Sequence, residues 1–574
     1  MNLGLVTQRL SAKRLRLTSL YSILLVAAFA ALGAPGAGAQ LVGKTPPCCT
    51  YYVSSTGDDG NSGLWPVFAW RSITRVNQQF LRPGDRVLFE ADSVFPGTIV
   101  LEPGESGTPV APITFGSYGP GMGVIWADGN TGFDLIDPSG IRIMNLHVSG
   151  SGRDTNNGIG ISCYTQLPGD VKLPSIHILG CRVSGFRRGG ISIGSWNGRT
   201  GFEDVSVEYC RLDNNGNNGM AVWGQYSTTW GQTLADYPHR SIYIGHNVFE
   251  SNWGDPQRTN KSTGSGCEVA QATLVLIEYN EAFDNGRLNT YPFGGPVGIW
   301  MWDVRWGVIQ FNESHHNSSS TLDGIGFDLD GGCANCTMQY NYSHDNDSTG
   351  FLVAQFPNGA RPMKNVTVRY NVSERDGGRG GAGAMQIWNG DSVGPLITSA
   401  AFYNNTVYVE AKPLGIPRAF RAFGTGDVAL TGFSNNIFIS AGTSVWLGEI
   451  TLVPPPYLVS NLYFADGGPF VVKEGGITYS SLVAWRLGTG HEIYQGLPTG
   501  YEGDPLLTSP GNGGTIGNPD ALESLSAYRL LANSPYQDLG FPLTSIGFAV
   551  GTQDYYGTAL FQGTGPSIGA HEGL

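Results

Sequence analysis

The sequence predicts an all-β solenoid of short, stacked parallel strands, and three observations carry that reading. The first is a turn residue that recurs every 29–37 positions: Asn145, Cys181, Cys210, Asn247, Asn280, Asn312, Asn341, Asn371, Asn405 and Asn436. A period of about 20–50 residues marks stacked supersecondary units. The second is a Gly-headed strand in each unit with apolar residues at alternate positions, the period of a strand with one face buried. The third is composition: 84 glycines and only 14% charged residues among 574, with Asn and Gly as the punctuation. Units this short and this β-branched do not suit helical repeats. Asn side chains stacked at one turn can bond up and down a column and satisfy backbone groups that water cannot reach.

Residues 1–39 read as a targeting segment. Arg9, Lys13, Arg14 and Arg16 precede an apolar run from Leu17 to Leu32, and Ala37-Gly38-Ala39 is a small-residue cleavage site with Gln40 as the mature start. An uncleaved anchor is the rival reading. No later run approaches the ~18 apolar residues a span needs, so no membrane span is expected in the mature chain, and a secreted protein, extracellular or periplasmic, is. Export permits disulfides. Cys333-Ala-Asn-Cys336 is a plausible local bridge, Cys181 and Cys210 could bridge or merely stack, and Cys163 and Cys267 fall at packing positions. No second Cys pair has zinc-site spacing.

The repeat resembles a right-handed parallel β-helix with three parallel sheets, an asparagine ladder and an N-terminal cap. The ends strengthen the likeness. The stretch YYVSSTGDDGNSG from Tyr51, followed by Pro83-Gly84-Asp85, resembles the cap of secreted β-helix proteins of carbohydrate metabolism, the pectate-lyase-like superfamily. There a short helix, here Ser72–Phe80, covers the open end. GTQDYYGTALFQGTGPSIGAHEG resembles the closing segment of the same group. The chain thus divides into cap and first coils (40–110), a β-helix bearing the cleft (111–440), and C-terminal coils with a closing segment (441–574).

Aligned on their glycines, the third strands place apolar pairs at positions two and four: Ile159/Ile161, Ile191/Ile193, Met220/Val222, Cys267/Val269, Ile299/Met301, Ile325/Phe327, Phe351/Val353 and Met385/Ile387. These face inward and their neighbours outward. The resemblance implies that this sheet lines a substrate cleft. The outward column is bland in the first coils (Gly160, Ser162, Ser192, Gly194). It then becomes Trp223, Glu268, Trp300, Trp302, Asp303, Asp328, Asp330, Gln355, Gln386 and Trp388. With strands ~4.8 Å apart, this patch is ~20–25 Å long, the span of several sugar rings. Tryptophan faces beside carboxylates suit a carbohydrate, whose apolar ring faces pack on indole.

Asp328 and Asp330 share one side of a strand, so their charges interact and one pKa should rise, as a general acid beside a base or nucleophile requires. Glu268 and Asp303 are candidate partners, and Asp323 stands at the loop mouth. The bland readings are a Ca²⁺ site at the acid pair or turn-capping. Trp223, Trp300, Trp302 and Trp388 are candidate sugar platforms, with Gln355, Gln386 and His344 as polar contacts. No cofactor is required for this chemistry, and Ca²⁺ is the ion the acids could take.

The expected function is therefore a secreted glycoside hydrolase acting on a polysaccharide or oligosaccharide. A Ca²⁺-dependent polysaccharide lyase of the same fold and a non-catalytic glycan-binding solenoid are the alternatives. A lyase needs a basic residue near the uronate, yet only seven Lys occur in the chain. A net charge of −13 argues against a nucleic-acid partner.

Overall fold

The computed structural model describes residues 49–573 except 103, 226–235, 360 and 391–395; residues 1–39, read above as a targeting segment, Cys48 and much of the loop 225–240 lie outside the described residues. Cys48–Leu574 form one compact unit. Its body is a parallel β-solenoid of about eleven coils, each with three faces. The first face holds the strands before the recurring turn, such as Lys172–Leu179, Gly201–Glu208 and His239–Gly245. The second is a 14-stranded ladder of short strands after it, such as Glu281–Phe283, Glu313–His315 and Tyr342–His344. The third carries the Gly-headed strands, including Ile325–Asp330, Phe351–Gln355 and Gly383–Asn389.

Two long strands, Ser265–Glu278 and Val297–Gln310, run from the third face onto the next coil's first face without a break. Left-handed backbone at Gln271 and Leu274, and at Asp303 and Trp306, carries them round the corner. Inside, like residues stack in register. Ile143, Ile178, Val207, Ile244, Ile277, Ile309, Met338, Val368, Phe402 and Phe433 form one buried column. Burying each such side chain stabilises the fold by about 1.5–3 kcal/mol.

The predicted ladder is present. Asn247 Nδ2 donates to Asn280 Oδ1 at 2.9 Å, and the pattern repeats through Asn312, Asn341, Asn371, Asn405 and Asn436 to Asn461, which donates to Glu492. Each amide oxygen also accepts a backbone N–H from the coil before, as in Asn247 N to Asn280 Oδ1. The residue before each Asn is left-handed, and at His246, Tyr279, Phe311 and Tyr340 the rings stack on one another at 5.0–5.2 Å. A second ladder, not foreseen, lies five residues downstream: Asn215, Asn252, Asn285, Asn317, Asn346 and Asp376. Cys181 and Cys210 take ladder positions as stacked thiols, Cys181 N donating to Cys210 Sγ.

The cap helix is shorter than expected, Ile73–Asn77, with Ser72 as N-cap accepting from Arg75 N; Trp70, Ile73 and Val76 close the core. At the far end a helix, Leu482–Thr489, presses Trp485 against Phe420 and Tyr463. The remaining chain turns back along the outside. Its amides at Gly513, Ile516 and Gly517 donate to Glu374 and Glu313. The closing signature is a self-satisfied turn: Asp554 accepts from Tyr556, Thr558 and Glu572 N–H groups. Cys333 and Cys336 are buried free thiols, not the expected bridge; each donates to a backbone carbonyl, of Met301 and Val304. No helix among the described residues is long and apolar enough to cross a membrane.

Candidate active site

Strand register assembles the outer surface of the third face into two columns. One reads Ser192, Ala221, Glu268, Trp300, Asp328, Leu352 and Gln386; the other reads Gly194, Trp223, with Ala270, Trp302 and Asp330 along its middle and Ala354 and Trp388 beyond. Two strands sit two residues away from the alignment on glycines. Phe327, not Ile325, pairs with Ile299, and Ile161 pairs with Ile191. A shift of two leaves every face unchanged, so Asp328 and Asp330 still point outward, now beside Trp300 and Trp302. Ile325 is buried, but outside the main core: it packs with Val297, Leu352 and Ala354, flanked by Trp300 and Trp388.

Asp328 is the most unusual group on this surface. Trp300 on one side and Leu352 on the other leave it only 3% exposed, and its Oδ1 has no hydrogen-bond partner. Burial first, then the charges of Asp330 and Asp323, pushes its pKa well above the usual carboxylate range. Asp330, two residues on, is partly accessible and accepts the Gly331 N–H at 2.7 Å; burial still raises it to about 7. Asp323, at the loop mouth, is raised by burial to about 6 although the Gly295 N–H and the Arg379 charge oppose the shift. It holds left-handed backbone, φ 68°, a conformation uncommon outside Gly and concentrated where a side chain must be aimed. Three carboxyls with separated proton affinities on one surface are the ingredients of acid–base chemistry.

Glu268 lies two strands from Asp328, about 10 Å away by strand spacing. Trp302 Nε1 donates to its Oε1 at 3.0 Å and Asn218 Nδ2 approaches Oε2 at 3.5 Å. Lys261, exposed on the loop 252–265, lies within reach of the Glu268 charge and is not among the residues the sequence singles out. Desolvation lowers its ammonium pKa against that charge. Nothing in a loop's spacing gives the register that would have placed Lys261, whereas Glu268 could be placed from its strand. Trp300 Nε1 is buried without a partner, between Glu268 and Asp328. Trp223 donates to Ser192 Oγ and meets Trp196 edge-on; Trp388 lies near Phe423 at the other end. Gln386 points outward but is nearly covered, its Oε1 accepting from Gly383 N.

Three predicted residues are not on the cleft surface. Asp303 is buried at the corner, both carboxylate oxygens 2.6 Å from Arg361 Nη1, with Gln271 Nε2 donating as well. Gln355 is fully buried and accepts from Gly332 N. Both occupy position six of their rows, where alternation turns a side chain away from solvent. His344 lies on the second face, wholly buried between Glu313 and Asp345. Burial alone would lower its pKa, but hydrogen bonds to those two carboxylates lift it to about 9.

The fold and this surface define a β-helix protein with a tryptophan- and acid-bearing face. No family model matches the sequence. The chain is 27% identical to a lacto-N-biosidase of Bifidobacterium longum subsp. longum, over 70% of this chain and 30% of that protein, so it spans less than a third of the relative's length. Among solved structures, a GH136 lacto-N-biosidase from Eubacterium ramulus matches at 23% identity and TM-score 0.49, covering 66% of this chain and 68% of that one. A pectate lyase, Pel9A, matches at 14% identity and TM-score 0.39, covering 92% and 98%.

Proposed function

We propose that this chain is an exported glycoside hydrolase in which Asp328 is the general acid and Asp330 the base or nucleophile. The observation that carries the reading is the buried, unpartnered carboxyl of Asp328 beside a second carboxyl of lower proton affinity. A carboxylic acid kept neutral near pH 7 can give its proton to a glycosidic oxygen, and an ionised neighbour can activate water or attack the anomeric carbon. An unpaired buried oxygen is a substantial penalty in a stable fold, and a substrate oxygen would relieve it. Trp300 and Trp302 flank the pair and offer indole faces to sugar rings, while Glu268, held by Trp302 and Asn218, serves sugar hydroxyls. Asp323 is placed to tune the pair's charge from the loop mouth.

The sequence relative's name, lacto-N-biosidase, makes the oligosaccharide substrates of such enzymes the first to test, ahead of plant and microbial polysaccharides. New reducing ends without the ultraviolet absorbance of an unsaturated sugar support hydrolysis. That absorbance, lost on chelation, supports a Ca²⁺-dependent lyase. Binding without turnover across the panel supports the glycan-binding solenoid. A lyase would have to draw its base from Lys261, beside Glu268, because among the described residues no Lys or Arg stands on the two columns from Glu268 through Asp330. Export is inferred from residues 1–39, and N-terminal sequencing of secreted protein should find Gln40 first.

A further inference from the structure

We propose that His315, His316 and His344 form a binding site for one Zn²⁺ ion. His315 and His344 are equivalent residues of consecutive coils, paired in register, with rings stacked at 4.6 Å and 8°. Each Nε2 lies 3.2 Å from a carboxylate of the coil before, Glu281 for His315 and Glu313 for His344, and those two glutamates are themselves register partners. A carboxylate on one imidazole nitrogen fixes the tautomer and leaves the other nitrogen for a metal. The stack therefore presents two Nδ1 atoms on one edge.

What meets those atoms completes a ligand set. His315 Nδ1 is 2.8 Å from His316 Nδ1, and His344 Nδ1 is 2.8 Å from Asp345 Oδ2. Left-handed backbone at His316, φ 54°, folds its ring back against both neighbours, with centroids 5.1 and 5.7 Å away. One ligand nitrogen from each of the three rings lies within 4.8 Å of the others. Two imidazole nitrogens that close must share either a proton or a metal. His315 and His344 are buried, whereas His316 is exposed and gives an ion its way in from solvent.

Three imidazoles with one carboxylate at hand suit Zn²⁺, which takes four N, S or O ligands at about 2.0–2.1 Å; Ca²⁺ prefers six to eight oxygens. Rotation of exposed His316, and of Asp345 away from Arg375, which holds its two oxygens at 2.7 and 2.9 Å, brings the donors to that distance. On binding, His316 carries its proton on its other ring nitrogen, freeing Nδ1, and the proton between His344 and Asp345 leaves to solvent. The site stands at the root of the segment 317–324, which leads to Asp323, so the ion would fix the corner from which that acid is aimed.

The test uses the full chain, stripped with chelator and titrated with ZnCl₂ against a chromophoric zinc indicator at neutral pH. The expected result is one equivalent bound, with Tm raised by saturating Zn²⁺. His316→Ala, an exposed change that leaves the stack in place, should weaken binding at least tenfold and abolish the Tm rise. Glu281→Gln should weaken it by about 10–100-fold through the ligand it orients. The proposal is overturned if the wild type binds no stoichiometric Zn²⁺, or if His316→Ala binds as tightly as wild type.

Discussion

Two outer faces of the same solenoid carry buried carboxylates, and they are treated in opposite ways. On the second face Glu313 accepts from Ile516 and Gly517 N–H at 2.7 Å and from His344. Glu374 accepts from Gly513 N–H, Tyr528 and Tyr342 hydroxyls, and pairs with Arg375. Each of these acids is an anchor for the returning C-terminal segment. On the third face Asp328 is as well covered, yet Trp300, Leu352 and Asp330 around it supply no donor to its Oδ1. Burial alone therefore says little about function in this molecule. Burial with partners builds the fold, and the missing partner at Asp328 Oδ1 is what the proposed acid role rests on.

The largest effect should come from removing the unpartnered acid. Asp328→Asn and Asp330→Asn should each lower turnover by about 10²–10⁴-fold on whichever sugar proves to be the substrate, with circular dichroism unchanged. Near-normal rates in Asp328→Asn would break the comparison, because the third-face acid would then be structural too. The opposite outcome is expected on the second face. Glu313→Gln keeps one acceptor but aims an NH₂ group at backbone donors, so stability should fall by about 3–5 kcal/mol while turnover of the folded fraction holds. Denaturant titration of all three variants, with activity measured below the transition, separates the two faces.

How much of this contrast the sequence could reveal follows from period. Strands have a fixed two-residue alternation, so the pattern assigns Asp328, Asp330, Glu268 and Trp302 to the outward side even where the row is two residues out, but the solvent exposure expected there fails at Asp328, which Trp300 and Leu352 cover. The ladder was legible for the same reason, and so was the second one in principle: Asn247/Asn252, Asn280/Asn285, Asn312/Asn317 and Asn341/Asn346 share one interval. Asp303 and Gln355 fall at position six of their rows, where the same alternation already turns them from solvent, but only coordinates show that Arg361 and Gly332 meet them. The C-terminal partners of Glu313 and Glu374 lie 139–204 residues away, a separation no local pattern encodes.

The same comparison has a pH signature. Asp330 titrates at about 7 when folded, against an ordinary value of 3.8. Between those values the native state holds a proton that the unfolded state has lost, so stability falls as pH rises through that window. At pH below 3.8 both states are protonated and the effect vanishes. Asp330→Asn removes the group and should be the more stable protein at pH 8, by up to about 4 kcal/mol, with the advantage shrinking toward pH 4. Thermal melts across that range should show the two curves converging in acid. Parallel curves would mean that the Asp330 environment is as polar as an ordinary surface.

The smallest effect expected is at Trp302, and it sharpens the boundary of the site. Its indole N–H donates to Glu268 Oε1 at 3.0 Å, its ring meets Phe356 edge-on at 6.4 Å, and Asp330 is its neighbour in the next strand. Trp302→Phe keeps an aromatic face but removes the donor and shortens the platform. A hydrogen bond to a charged acceptor contributes about 1.5–3 kcal/mol, but Asn218 and solvent would partly replace it. The expectation is a rise in KM of roughly tenfold, about 1.4 kcal/mol, with kcat nearly unchanged, because Glu268 is assigned to binding sugar hydroxyls and not to proton transfer. If kcat falls as steeply as in Asp330→Asn, Trp302 must be orienting the reacting carboxyl itself, and Glu268 has to be moved from the binding groups to the catalytic ones. Glu268→Gln then decides the matter: a matching collapse of kcat makes it the partner acid, and a KM effect alone leaves Asp328 and Asp330 as the catalytic pair.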